Sequence, residues 1–288
     1  DGRSFQVEDL TGQALVVDAL SARLSGVSAA DSFPPTQNPS LIRIGGGGAQ
    51  AERIDVDAID MMRIGGNGLI LSGRDVSLAD LTLTDIMPPN EDPFVLRIGD
   101  LDTMGPQIND PSTQRAESLT AANIDISWSD GYVVGSQALG IGATEVVSIS
   151  DAQLGGGVSV RAPGRFVELN NIRVQGASGH GIAVTDGQEG DGDVLAPGQT
   201  VVRLQSVRVE DADMGIQLDG DAMETTVQNS VVRRNRGRGI AARGGRLRIE
   251  NTILHENWAE GIYAEASLAV VQCRIFGHLN EGIEVRPP

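Results

Sequence analysis

Short apolar runs, separated by polar turns, recur along most of this 288-residue chain. The clearest carries a Gly-Ile phrase. It reads Gly-His-Gly-Ile-Ala-Val at 179–184, Asp-Met-Gly-Ile-Gln-Leu at 213–218 and Gly-Arg-Gly-Ile-Ala-Ala at 237–242. It returns as Ala-Glu-Gly-Ile-Tyr-Ala at 259–264 and Asn-Glu-Gly-Ile-Glu-Val at 280–285. The steps between these glycines are 34, 24, 22 and 21 residues. About eight residues before the glycine sits a second β-rich run: Val207-Arg208-Val209, Val231-Val232, Ile253-Leu254 and Ile275-Phe276. Asn229, Asn251 and Gln272 each lie ten residues before their glycine. The unit reads strand, polar turn, Gly-Ile strand, variable turn, with no room for a helix. A fixed period of this size marks a stacked solenoid, and strands this short describe one coil of a parallel β-helix.

Stacking fixes what each position does. Successive coils pair at about 4.8 Å, and side chains alternate inward and outward. The inward pairs are Ile216 with Leu218, Ile240 with Ala242, Ile262 with Ala264 and Ile283 with Val285. The repeated glycine is expected to supply the backbone conformation of a sharp corner. Asn235 and Asn257, each four residues before a glycine, are expected to stack as an internal amide ladder. Asp219, Arg243, Glu265 and Arg286 follow their glycines by four and become outward neighbours of alternating charge, which helps to fix register.

The pattern continues upstream. Gly157-Val158-Ser159-Val160, Gly131-Tyr132-Val133-Val134, Pro93-Phe94-Val95-Leu96, Gly68-Leu69-Ile70-Leu71 and Leu41-Ile42-Arg43-Ile44 read as earlier coils. The expected fold is all-β, a single-domain parallel β-helix of roughly nine or ten coils, on the order of 45 Å long. Residues 1–40 form an irregular N-terminal coil or cap, and 41–288 the β-helix. Residues 10–24 suit either a capping helix or a first coil, with Val16-Val17 tipping them toward strand. Insertions fall at the proline-rich 29–40, at 100–117 and at 186–199. No amphipathic segment follows the last strand: either Pro287 and Pro288 blunt its edge, or this end stacks on further sequence or on a second copy, a self-association through uncapped solenoid ends.

Composition narrows the partners. The net charge is −17, and all 22 basic residues are arginine. That argues against nucleic acid, whose phosphates dominate its affinity for proteins. No apolar run is long enough to span a membrane as a helix. Cys273 is the single cysteine, so it makes no intramolecular disulfide, and it reads as a small core residue in a strand of the final coil.

Three clusters are candidates for chemistry. Asp186, Glu189, Asp191 and Asp193 sit among glycines, a set of hard oxygen donors suited to calcium or, equally, to a solvated acidic loop. Arg233, Arg234, Arg236, Arg238 and Arg243, followed by Arg246 and Arg248, form the one dense basic run, a candidate grip on an anionic glycan. Glu210-Asp211, Asp213, Asp219 and Asp221 gather acids over one coil.

Around Gly179-His180-Gly181 the chain resembles the pectin-lyase-like superfamily, and its coil pattern extends that resemblance over most of the length. The resemblance implies a right-handed helix and a polysaccharide ligand. Polygalacturonase-type members carry a Gly-His-Gly segment, which would make His180 catalytic, and an aspartate two coils earlier that Asp130 of Trp128-Ser129-Asp130-Gly131 would match. Where those enzymes have an Asp-Asp pair, this chain has Gly155-Gly156-Gly157, and it lacks their downstream Arg-Ile-Lys and the Asp-Pro-His of uronan epimerases. Glycoside hydrolysis needs two carboxyl groups across the bond. The expectation is therefore a non-catalytic extracellular or cell-surface bacterial β-helix, serving as a structural, adhesive or filament-assembly module. The alternative is a lyase or glycoside hydrolase acting on an acidic glycan. Extracellular polysaccharide or a second copy of the chain are the expected partners, with no cofactor beyond the candidate calcium.

Overall fold

The computed structural model describes residues 5–8, 15–17, 21–32, 40–44, 51–88, 94–99, 116–128, 137–142, 144–161, 164–185 and 200–287. They form one continuous, all-β, right-handed parallel solenoid. Each coil has three faces. In one coil these are Thr200–Gln205, Arg208–Glu210 and Met214–Asp219. The first two faces are often one bent strand, as in Ala116–Ser127 and Thr144–Leu154.

Every strand pairs in parallel with its counterpart one coil away. On the third face, among the described residues, eleven strands stack. They are Leu15–Val17, Ser40–Ile44, Asn67–Leu71, Phe94–Ile98, Gln137–Ile141, Gly157–Arg161, His180–Thr185, Met214–Asp219, the starts of Ile240–Glu250 and Ile262–Val271, and Ile283–Val285. That exceeds the nine or ten coils expected. Regular strands already exist at Phe5–Glu8, Leu15–Val17 and Ser21–Ser32. Two insertion boundaries move, because residues 29–32 and 116–117 are paired strand rather than loop. The coil read at Gly131–Val134 lies outside the described residues. Gln137–Ile141 fills that place in the column, burying Ala138, Leu139 and Ile141.

The interior is an aliphatic column. Ile216, Ile240 and Ile262 stack inward with Leu218, Ala242 and Ala264 behind them, all essentially inaccessible. Burying each such branched side chain contributes about 1.5–3 kcal/mol, the main force holding coil to coil. The last coil is open by comparison: Leu279 is 74% exposed, Val285 57% and Ile283 44%.

The repeated glycines do a different job from the one their spacing suggested. Gly181, Gly215, Gly239 and Gly261 are not in the left-handed region. A Cβ at Gly215 would lie 2.1 Å from the Gly239 carbonyl oxygen, and one at Gly239 would lie 2.6 Å from that of Gly261. They let one coil's backbone touch the next. The left-handed corner falls instead on the polar residue ten positions earlier. It forms a column of positive φ through Ala58, Asp80, Asn123, Asp151, Asn171, Ser206, Asn229, Asn251 and Gln272. Asparagine and aspartate tolerate this conformation better than most residues. Their side chains also pair between coils, Asn123 Nδ2 donating to Asp80 at 2.9 Å and Asn171 Nδ2 to Asp151 at 2.7 Å.

Two buried polar columns satisfy the turn backbones. Asn257 Oδ1 accepts from Asn235 N at 3.1 Å and Asn235 Nδ2 at 2.9 Å, and Asn235 Oδ1 accepts from Ala212 N at 3.0 Å. The expected amide ladder is present, and His278 extends it by accepting from Asn257 N through Nδ1 at 3.3 Å. Beside it, Ser230 accepts from Val207 N and Thr252 from Ser230 N. Cys273 follows in that hydroxyl column. It lies between the strands Ile262–Val271 and Arg274–Phe276 rather than within one, packed against the core with its thiol donating to Val271 O.

Candidate functional site

The outward side chains of the second face form columns of their own. One runs Asp125, Gln153, Arg173, Arg208, and the adjacent one Ser127, Gly155, Gln175, Glu210, Arg233. Between them lies a groove of about 430 Å³, lined by Asp125, Trp128, Gln153, Arg173, Gln175 and Asp211 among others.

Trp128 is the fixed wall of this groove. Its Nε1 donates to Ile86 O at 2.9 Å. Its six-membered ring lies against Gly155 and Gly156, where a Cβ on Gly155 would sit 2.8 Å from Cε3. The Gly155-Gly156 pair that stands in place of an acidic pair therefore makes room for an aromatic ring. Arg173 is the groove's cation, half-exposed, with Nη2 3.3 Å from Gln175 Oε1 and 3.9 Å from Glu210.

At one end of the groove, Glu210 is 1% exposed and surrounded by guanidinium groups. Arg208 binds it closely, Arg233 reaches it at 2.6 Å and Arg234 at 2.9 Å. Burial alone would raise its carboxyl, but the hydrogen bonds and charges of Arg208 and Arg233 outweigh that and hold it at about 2. Such a group stays ionised and does not donate a proton near neutral pH. Arg234 also binds Asp211 at 2.9 Å, and that hydrogen bond raises its guanidinium above the ordinary value.

The arginine run separates once folded. Arg233 ends the second-face strand, Arg234, Arg236 and Arg238 lie in the turn that follows, Arg243 is on the third face, and Arg246 and Arg248 on the first. Each faces a carboxylate, usually in an adjacent coil: Arg236 with Asp213 at 3.2 Å, Arg238 with Glu260 at 2.8 Å, Arg243 with Glu265 at 3.5 Å and Arg246 with Glu224 at 3.4 Å. Arg238 also lies 3.7 Å over the Tyr263 ring. Arg233, Arg234 and Arg236 thus pair with Glu210, Asp211 and Asp213 of the acidic cluster, while Arg238, Arg243, Arg246 and Arg248 pair with glutamates outside it.

His180 begins the strand His180–Thr185 on the third face and is not among the groove's lining residues. Burial pushes its imidazole below the ordinary value, opposed by Asp219 and Asp213 and by a hydrogen bond with Gln217. Asp130, and the acidic set Asp186, Glu189, Asp191 and Asp193, lie outside the described residues. A different acidic group does converge. Glu260, Glu281 and Glu284 bring one carboxylate oxygen each within 4.8 Å of one another, a set able to hold a cation. Glu260 is already engaged by Arg238 and by Asn280 Nδ2 at 3.2 Å.

Residues 156–287 match the family model described as right handed beta helix region, and the match covers the most regular coils. No curated protein matches the chain. The family match agrees with the solenoid and leaves its use to be argued from the groove.

Proposed function

We propose that this β-helix is a non-catalytic extracellular or cell-surface module with a structural or adhesive role, presenting its second face to polysaccharide. The spacing of acids along the groove carries this reading. From Asp125 the column steps through Gln153 and Arg173 to Arg208, in the coil of Asp211. Three steps of the sheet spacing put Asp125 and Asp211 about 14 Å apart along the axis. Acid–base cleavage of a glycosidic bond needs carboxyl groups roughly 5–9.5 Å apart. Glu210, in the same coil as Asp211, is locked as an anion among arginines. The same face is well suited to holding a chain without cutting it.

One observation favours a competing reading. His180 lies beside Asp213, Gln217 and Asp219 with burial lowering its pKa, an imidazole next to carboxylates, as a lyase or hydrolase of acidic glycans would use.

Incubation with polygalacturonate, alginate, xylan and glucan, followed by product analysis, separates the two. The module predicts retention of polymer at unchanged length. Shortened or unsaturated products, lost in His180→Ala, would establish the enzyme instead.

A further inference from the structure

We propose that the Trp128 groove is a binding site for the rings of a neutral polysaccharide. This deepens the adhesive reading and rests on it, naming its ligand and the side chains that recognise it.

The platform comes first. The Trp128 indole is pinned by its hydrogen bond to Ile86 O and seated on the backbone of Gly155 and Gly156. A rigid aromatic surface in a groove contributes contact area at low cost in conformational entropy. The apolar C–H face of a pyranose is the natural complement to such a ring in a site whose other walls are polar. The space of about 430 Å³ falls in the range of small-ligand sites.

The polar lining then selects the substituents. Asp125 and Asp211 only accept hydrogen bonds, Arg173 only donates, and Gln153 and Gln175 do both. Hydroxyl groups, which donate and accept, satisfy such a mixed set. A polyanion does not: Arg234 already pairs with Asp211, Asp125 stands in the same groove as Arg173, and the chain as a whole carries −17. Nor are the neighbouring arginines free to bind anions, since Arg208, Arg233 and Arg234 already surround Glu210 and Asp211. Arg173 has the weakest ionic partner of the group, at 3.9 Å, and so keeps N–H donors for a ligand. The lining side chains sit on successive coils about 4.8 Å apart, so the site is elongated along the solenoid axis and suits a linear polymer.

The test uses the full chain with Trp258→Phe, leaving Trp128 as the one tryptophan. Its emission is titrated with β-1,4-linked hexasaccharides of glucose, xylose and mannose, and with a galacturonate hexasaccharide as the anionic comparison. A saturable emission change with at least one neutral hexasaccharide is expected. Arg173→Ala and Gln175→Ala, exposed positions whose loss leaves the far-UV circular dichroism unchanged, should each weaken it at least tenfold. The proposal is overturned if no neutral sugar shifts the emission, if only the galacturonate does, or if both variants bind as the parent does. Sugar lengths are measured in the same samples. Cleavage of a bound neutral sugar would refute the non-catalytic reading while leaving the groove's assignment standing.

Discussion

Replacing Asn257 by alanine removes the centre of the buried amide column. Asn257 Oδ1 accepts from the Asn235 backbone N–H and from Asn235 Nδ2, and its own Nδ2 donates to Val232 O at 3.3 Å. The side chain is fully inaccessible, so water does not replace it. Three polar groups lose their partner, and each unsatisfied buried group costs about 1–3 kcal/mol. Sharing among them and partial relaxation bring the expected loss to about 3–5 kcal/mol. Solenoid stability is a sum of local terms, so the damage should stay near the affected coils. Urea unfolding gives the magnitude, and amide hydrogen exchange gives the location. Protection should fall across 229–262 and persist across 144–174. A loss below about 1 kcal/mol, or exchange that rises equally along the rod, would refute the claim that the column holds these turns together.

Further expectations follow from the other columns. Glu210 has a lowered folded pKa, so its contribution is present above the ordinary value of 4.5 and is lost as pH falls toward about 2. With partly exposed arginines screening the pair, that contribution is about 1–3 kcal/mol. Glu210→Gln should therefore flatten the stability profile between those pH values, and an unchanged acid-unfolding curve would contradict the assignment. Gly155→Ala drives a Cβ into the Trp128 ring, so Trp128 emission in a Trp258→Phe background should shift to the red, with a cost of about 1–3 kcal/mol. An unshifted spectrum would mean that the ring does not rest there. Ala58 is an exposed residue at φ 54° in the left-handed column. Ala58→Gly should raise stability by about 0.5–1 kcal/mol in thermal unfolding, and a loss of stability would show the corner to be unstrained.

The coil was legible because one physical constraint repeats in it. Ile216, Ile240 and Ile262 must all face the same narrow core, and Asn235 and Asn257 the same turn, so period and polarity marked them directly. The glycines were legible in place but not in cause. A sequence shows that Gly215 and Gly239 align, and only stacked backbones show a carbonyl where a Cβ would be. The left-handed corner was visible as a recurring polar residue at 229, 251 and 272, and Ala58 and Ser206 hide the same corner elsewhere.

The groove was harder to read because its members are neighbours across coils. Asp125, Gln153 and Arg173 are 28 and 20 residues apart and touch one surface only after stacking. Insertions of irregular length upstream break the period needed to align them. Charge pairing hid for the same reason: Arg233 and Arg234 looked like a cationic patch until Glu210 and Asp211 were placed one coil below. The three-glutamate group draws Glu260 and Glu281 from successive coils and gave no contiguous signal.

The most direct test of the central claim is recovery of polysaccharide from the protein's own complex. A neutral glucan, xylan or mannan is bound by the immobilised chain, held for many hours, eluted, and sized. The account predicts that the polymer bound is returned at its original length, and that Arg173→Ala binds much less of it. Return of shortened or unsaturated chains, abolished by His180→Ala, would contradict it and make this solenoid an enzyme.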